Sequence, residues 1–117
     1  MATKEQHLQQ VAQNESLAQK LSDLDEFGWA LTLLFYGAVH LLSAYFVQRG
    51  LRYTTHAARE LAMRRERQLE QVSRHYDELK RESEYARYDC KVITRADFER
   101  SRIRYGRLQG HMQRLVS

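Results

Sequence analysis

The groups in this chain best equipped for chemistry are its cations and a few polar side chains set in apolar surroundings. Thr32, Tyr36, His40 and Ser43 recur at spacings of 4, 4 and 3 inside Phe27–Val47, a run of 21 residues without a formal charge. On a helix that spacing places them on one face, so hydroxyl, phenol and imidazole groups would look together into a cleft or an inter-subunit seam. Toward the other end, five arginines and no acid lie between Arg100 and Arg114. Arg102, Arg104, Arg107 and His111 would there form an edge for a polyanion such as RNA, a nucleotide or anionic lipid. Arg87 and Tyr88 are a third pair, able to reach a cleft or to anchor a loop. Other chemistries lack their residues. Cys90 is the single cysteine, with no disulfide partner and no Cys–His context, and reads as a buried or idle thiol. The five histidines show no HExxH or paired spacing, so neither a metal site nor a cofactor is expected. No glycine-rich phosphate loop is present.

The elements that position these residues must be helices. The 117 residues suffice for one domain, and 43% hydrophobic with 29% charged residues is the composition of a folding chain. There is no proline and there are only five glycines, whereas a sandwich or barrel needs turn residues roughly every 8–12 positions. Charge is uneven: residues 1–48 hold two lysines against five acids, and residues 49–117 hold 17 basic against 10 acidic residues.

Residues 3–22 read as a helix with Leu8, Val11, Ala18 and Leu21 on one face. Ser22, Asp23, Asp25 and Glu26 read as the start of the next, since oxygens and negative charge suit a helix N-terminus. Phe27–Val47 is long enough to span a bilayer, which makes a small membrane-anchored protein one expectation. The polar stripe, with Gly28 and Gly37, favours a buried central helix instead. Gly50 reads as a helix stop, Leu51–Thr55 as a loop, and Thr54 or Thr55 as the cap of a helix opening at His56. That helix runs to about Ser83, as one piece or two, with Leu61, Leu69, Val72, Tyr76 and Leu79 inward. Tyr85–Ile93 reads as a connection. Thr94 and Asp97 form a capping-box pattern ahead of a last helix whose apolar members are Phe98, Ile103, Leu108, Met112 and Leu115. Gly106 and Gly110 weaken that helix by about 1 kcal/mol each unless they permit close packing. The expected fold is all-α, an antiparallel four- to five-helix up-and-down bundle. It forms a single domain over 1–117, with an N-terminal helix in 1–24 and the bundle core in 25–115. Met1–Lys20 has no apolar leader stretch, so a cytoplasmic location is expected.

Several of these segments, in this order, resemble the HEPN superfamily. They are Asp25-Glu26-Phe27-Gly28-Trp29-Ala30, Phe35-Tyr36-Gly37-Ala38-Val39-His40, Ala44-Tyr45, Gly50, and Thr55-His56 with Arg59. Its small helical domains read as an aromatic–tyrosine–small–alanine–x–histidine helix, a glycine, and an (S/T)-H-x-x-R turn. Tyr76, Leu79, Ser83 and Ala86-Arg87-Tyr88 resemble the second half of that pattern, and the resemblance spans about residues 25–115. It implies an up-and-down bundle, usually a homodimer. Many members are metal-independent ribonucleases of bacterial toxin–antitoxin and antiviral systems. Others lack catalysis and bind nucleotides, RNA or a protein partner such as a cognate antitoxin. The catalytic members carry Arg-x(4–6)-His, in which arginine stabilises phosphate charge and histidine moves a proton during attack by the ribose 2′-hydroxyl. Two stretches fit, Arg49 with His56 and Arg104 with His111, each with six residues between. The resemblance thus implies His56 as base with Arg49 or Arg52 on the phosphate. Against that, His56 would simply belong to a helix cap, and Gly50 and Tyr105 stand where the family favours a polar residue. A non-catalytic dimeric module that regulates a partner protein through the Tyr36–His40 face is the second expectation.

Overall fold

Thr3 opens the first helix: its hydroxyl accepts from the Gln6 N–H at 3.1 Å, while the Gln6 side chain accepts from the Thr3 N–H at 2.9 Å. The computed structural model describes residues 1–117. Helix α1 runs Lys4–Asp23, α2 Phe27–Gln48, α3 His56–Arg65, α4 Glu70–Tyr88 and α5 Arg95–Val116, with one turn of 3-10 helix at Arg67–Leu69. There is no strand, and the helices form an all-α bundle of 39 × 24 × 23 Å. Helix α2 is its axis, packed by α1, α4 and α5. It is long and apolar enough to cross a membrane. Thirteen of its 22 residues are nevertheless buried within the bundle, among them Leu31, Phe35, Leu42, Tyr45 and Phe46. The rings of Phe35 and Tyr76 of α4 meet edge to face with centroids 5.4 Å apart, joining α2 and α4 through an aromatic pair.

Two helix ends are sealed by left-handed residues that are not glycine. Asp25 has φ 59°, and beside it the Glu26 N–H reaches the Leu21 carbonyl at 2.8 Å. Residues 23–25 therefore end α1, and of the expected start only Glu26 belongs to α2, as its N-cap with the carbonyl accepting from the Ala30 N–H at 3.0 Å. Ser22 is buried inside α1, and Glu26 precedes α2 without a side-chain capping bond. Cys90 has φ 55° and closes α4, where the Lys91 N–H meets the Tyr85 carbonyl at 3.1 Å. Helix α4 thus extends through Tyr85–Tyr88, which were expected in a connection, and Cys90 is exposed, not buried. Gly50 (φ 78°) does end α2 as its type suggests, with its N–H on the Val47 carbonyl at 2.9 Å.

The segment 56–83 proves to be two helices. The chain breaks at Glu66, whose backbone is extended (φ −95°, ψ 115°), so that Leu69 can drop fully into the core. That break shifts the helical phase. Glu60 and Met63 face inward and Leu61 is 52% exposed, against the expectation that Leu61 is buried. In α5 the inward phase is Phe98, Ser101, Tyr105, Leu108 and Met112, which leaves Ile103 outside it and 51% exposed. The capping box of Thr94 and Asp97 forms in full, at 3.1 and 3.0 Å. A Cβ at Gly106 or Gly110 would meet nothing within 4 Å. Neither glycine serves close packing, so Gly106→Ala and Gly110→Ala should each raise stability by about 0.5–1 kcal/mol in urea titrations.

Candidate functional site

Arg87, one residue before the end of α4, is the best-braced cation of the structure. Its Nη1 donates to the Tyr36 hydroxyl at 2.9 Å and to the Tyr88 hydroxyl at 3.3 Å. Nε and Nη2 donate to the Ser83 carbonyl and hydroxyl at 3.2 and 3.1 Å. The guanidinium also lies 4.9 Å from the Tyr88 ring centre and 5.5 Å from that of Tyr36. All these partners are neutral, so Arg87 is oriented without losing its charge to a carboxylate.

Helix α3 brings the next groups. Thr55 caps it by accepting from the Ala58 N–H at 3.1 Å, which seats His56 at its first position. The His56 ring stacks on Phe35 at 6.3 Å, and its Nδ1 lies 3.3 Å from Nη1 of Arg59. Arg59 Nη2 donates to the Tyr53 carbonyl at 3.2 Å. Beneath them Glu60, the single acid of α3, accepts from the Tyr76 hydroxyl at 3.0 Å and from Lys80 Nζ at 2.9 Å. Helix α1 adds His7, whose Nδ1 is 3.0 Å from Nδ1 of His40, so one ring must donate and the other accept. Arg52 donates to the Ala2 carbonyl at 2.5 Å. No carboxylate pairs with Arg52, Arg59 or Arg87.

The cations act on the imidazoles. Burial first, then Arg59 and Arg52, holds His7 below the ordinary histidine value. Burial, then His7 and Arg59, does the same to His40. His56 is lowered by burial and Arg59, with Glu60 opposing. Arg59 thus acts on all three imidazoles, Arg52 on His7 and Arg87 on His56, an arrangement of cations that a phosphate would complete.

Of the expected site residues, Tyr36 and Tyr88 meet at the Arg87 guanidinium, His56 stacks on the neighbouring Phe35, His40 meets His7, and Arg52 reaches the Ala2 carbonyl. The polar stripe does not hold as one open face: Thr32 is buried and donates back to the Gly28 carbonyl at 2.9 Å. Arg49 turns elsewhere, to Gln68 at 3.2 Å, Glu66 at 3.9 Å and the Tyr45 ring at 4.5 Å. It shares no partner with His56. Arg104 and His111 belong to a separate basic region on α4 and α5. There burial, then Arg104, Arg107 and His111, lowers His75, whose buried Nδ1 has no hydrogen-bond partner. The pair Arg104–His111 is not formed, since His111 Nδ1 faces Arg114 at 2.9 Å. His7 and Arg59 were not among the expected site residues. A signal for His7 existed, because it precedes the buried Val11, Asn14 and Ala18 at spacings of 4, 3 and 4. Comparisons with protein-family models, curated proteins and solved structures find no match.

Proposed function

We propose that the chain is a HEPN-like domain that binds RNA, with a backbone phosphate held between Arg59, Arg87 and the imidazole of His56. The observation that carries this reading is that Arg59 contacts His56 and acts on His7 and His40, with Arg87 acting on His56 and Arg52 on His7, none of the three arginines being paired to an acid. Phosphate contacts from braced guanidinium groups supply most nucleic-acid affinity. In this reading Arg59, not Arg49, is the arginine that serves His56; while Nδ1 accepts from Arg59 the neutral ring carries its proton on Nε2, so His56 takes a 2′-hydroxyl proton only once Arg59 has turned from Nδ1 to the phosphate. A second, non-catalytic reading is favoured by the engagement of Arg49 with Gln68 and Glu66. The homodimeric state, the toxin–antitoxin or defence setting and a cytoplasmic location belong to this proposal as what the resemblance implies.

Fluorescence anisotropy with a labelled single-stranded RNA tests the reading. Arg59→Ala and Arg87→Ala should each weaken binding about tenfold or more, the cost of a lost hydrogen bond to a charged group. Lys20→Ala, the same charge change on exposed α1, should stay within about twofold. Cleavage of that RNA, lost in His56→Ala, selects the catalytic reading; intact RNA with the same affinities selects the binding module. Unchanged binding in both arginine variants overturns the proposal.

Affinity should also rise as pH falls from 8 toward 6. The free protein holds His7, His40 and His56 below their ordinary value, and an anion would raise them again, so binding takes up protons. Affinity that is flat with pH, or that rises with it, would contradict the placement of the phosphate beside these rings.

A further inference from the structure

Trp29, the only tryptophan, is 62% exposed on the first turn of α2. Trp29, Thr32 and Tyr36 follow at spacings of 3 and 4, so one helix face leads from the indole to the Arg87–Tyr36 contact. Between the start of α2 and the end of α4 lies a cleft of about 310 Å³, lined among others by Glu26, Trp29, Thr32, Arg87, Lys91 and Ile93. Its walls are mixed in a particular way. An exposed aromatic face, an apolar Ile93 and a cation stand beside Glu26, a carboxylate that no ion pair engages. A phosphate would be repelled by Glu26. A heteroaromatic ring with N–H donors on its edge would be stacked by the indole and accepted by the carboxylate. Lys91 is drawn to Glu82 at 3.3 Å, which leaves Arg87 as the cation that joins this cleft to the phosphate site.

We infer that this cleft is a nucleobase subsite. An unpaired base stacks on Trp29, and the phosphate attached to its nucleotide rests on Arg87. The inference rests on the RNA-binding reading above and adds a preference for single strands, because duplex bases are stacked on each other and cannot reach the indole. Tyr88, 70% exposed with its ring against the Arg87 guanidinium, offers a second aromatic surface to a neighbouring base.

The single tryptophan makes a direct reporter. Its emission is followed while the protein is titrated with a single-stranded RNA, with a duplex of the same sequence, and with an abasic strand of the same phosphate count. The single strand should quench Trp29 and bind about tenfold more tightly than the abasic strand, and Trp29→Ala, followed by anisotropy, should lose that advantage while Trp29→Phe keeps most of it. Equal binding of intact and abasic strands, without quenching and without effect of Trp29→Ala, overturns the subsite and leaves the phosphate reading standing. Binding of neither strand overturns both. A blue shift of Trp29 emission that depends on protein concentration alone would assign this face to a second copy of the chain and overturn the inference. Trp29 is exposed, so circular dichroism of Trp29→Ala should match the parent.

Discussion

Glu60→Ala should lower the stability of the fold by about 3 kcal/mol, within the range for breaking a largely buried ion pair. Glu60 is only 9% exposed and accepts from both the Tyr76 hydroxyl and Lys80 Nζ. Alanine would leave a fully buried phenol and a partly covered ammonium without their acceptor. Tyr76 shows how closed this region is, since burial, then Glu60, pushes its hydroxyl well above the ordinary tyrosine range. The consequence reaches function. Glu60 ties α3 to α4 through Tyr76 and Lys80, and α3 carries His56 and Arg59, so the proposed RNA binding should fall with stability. Glu60→Gln keeps an acceptor for Tyr76 and should cost about 1–2 kcal/mol. Urea unfolding followed by circular dichroism measures both. A Glu60→Ala variant within about 0.5 kcal/mol of the parent would show that the network carries no net stability.

Gly37→Ala should destabilise by about 2 kcal/mol, although helix propensity alone would make it stabilising by roughly 1 kcal/mol. An added Cβ would lie 2.8 Å from the Tyr105 hydroxyl and 3.1 and 3.2 Å from two of its ring carbons. Tyr105 cannot easily retreat. Its ring is 4% exposed, and its hydroxyl donates to Glu15 of α1 at 2.6 Å, where Gln109 also donates. Burial, then Glu15, raises the Tyr105 hydroxyl far above the ordinary value, so it donates as a neutral phenol. Gly37 is thus the place where α1, α2 and α5 meet through one tyrosine. In a Tyr105→Phe background the nearest clashing atom is gone, and Gly37→Ala should cost less than in the parent. Equal costs in the two backgrounds would place the strain somewhere other than Tyr105.

These two sites show what the sequence could and could not disclose. Four helical segments follow from composition, from the caps at Thr55 and Thr94, and from apolar spacing, all of which act within one or two turns; that 56–83 is two helices does not. The misplaced boundaries share one cause: Asp25 and Cys90 adopt the left-handed conformation that glycine usually supplies, so no glycine marks those ends. The break at Glu66 has no proline or glycine behind it. It is imposed from outside by the burial of Leu69 and by the contacts of Glu66 and Gln68 with Tyr45 and Arg49. That same break turned Leu61 outward and Glu60 inward. For the site, Tyr36, His40, His56 and Arg87 were visible as residue types in pattern, but their association was not. It depends on α1 lying along α2 to bring His7 to His40, and on α4 running on to Tyr88 to bring Arg87 to Tyr36. Both are contacts between residues more than 30 positions apart, which local spacing does not encode.

In the proposed RNA-binding reading, two basic regions compete for the role of interface. Backbone amide chemical shifts of the isotopically labelled protein, followed during titration with a short single-stranded RNA, decide it most directly. The largest shifts should fall on Tyr36 and His40, on Arg52 through Arg59, and on Arg87 and Tyr88, with Arg100–Arg114 little changed. Shifts confined to the arginine-rich face of α5 and to His75, with Arg59 and Arg87 silent, would contradict it.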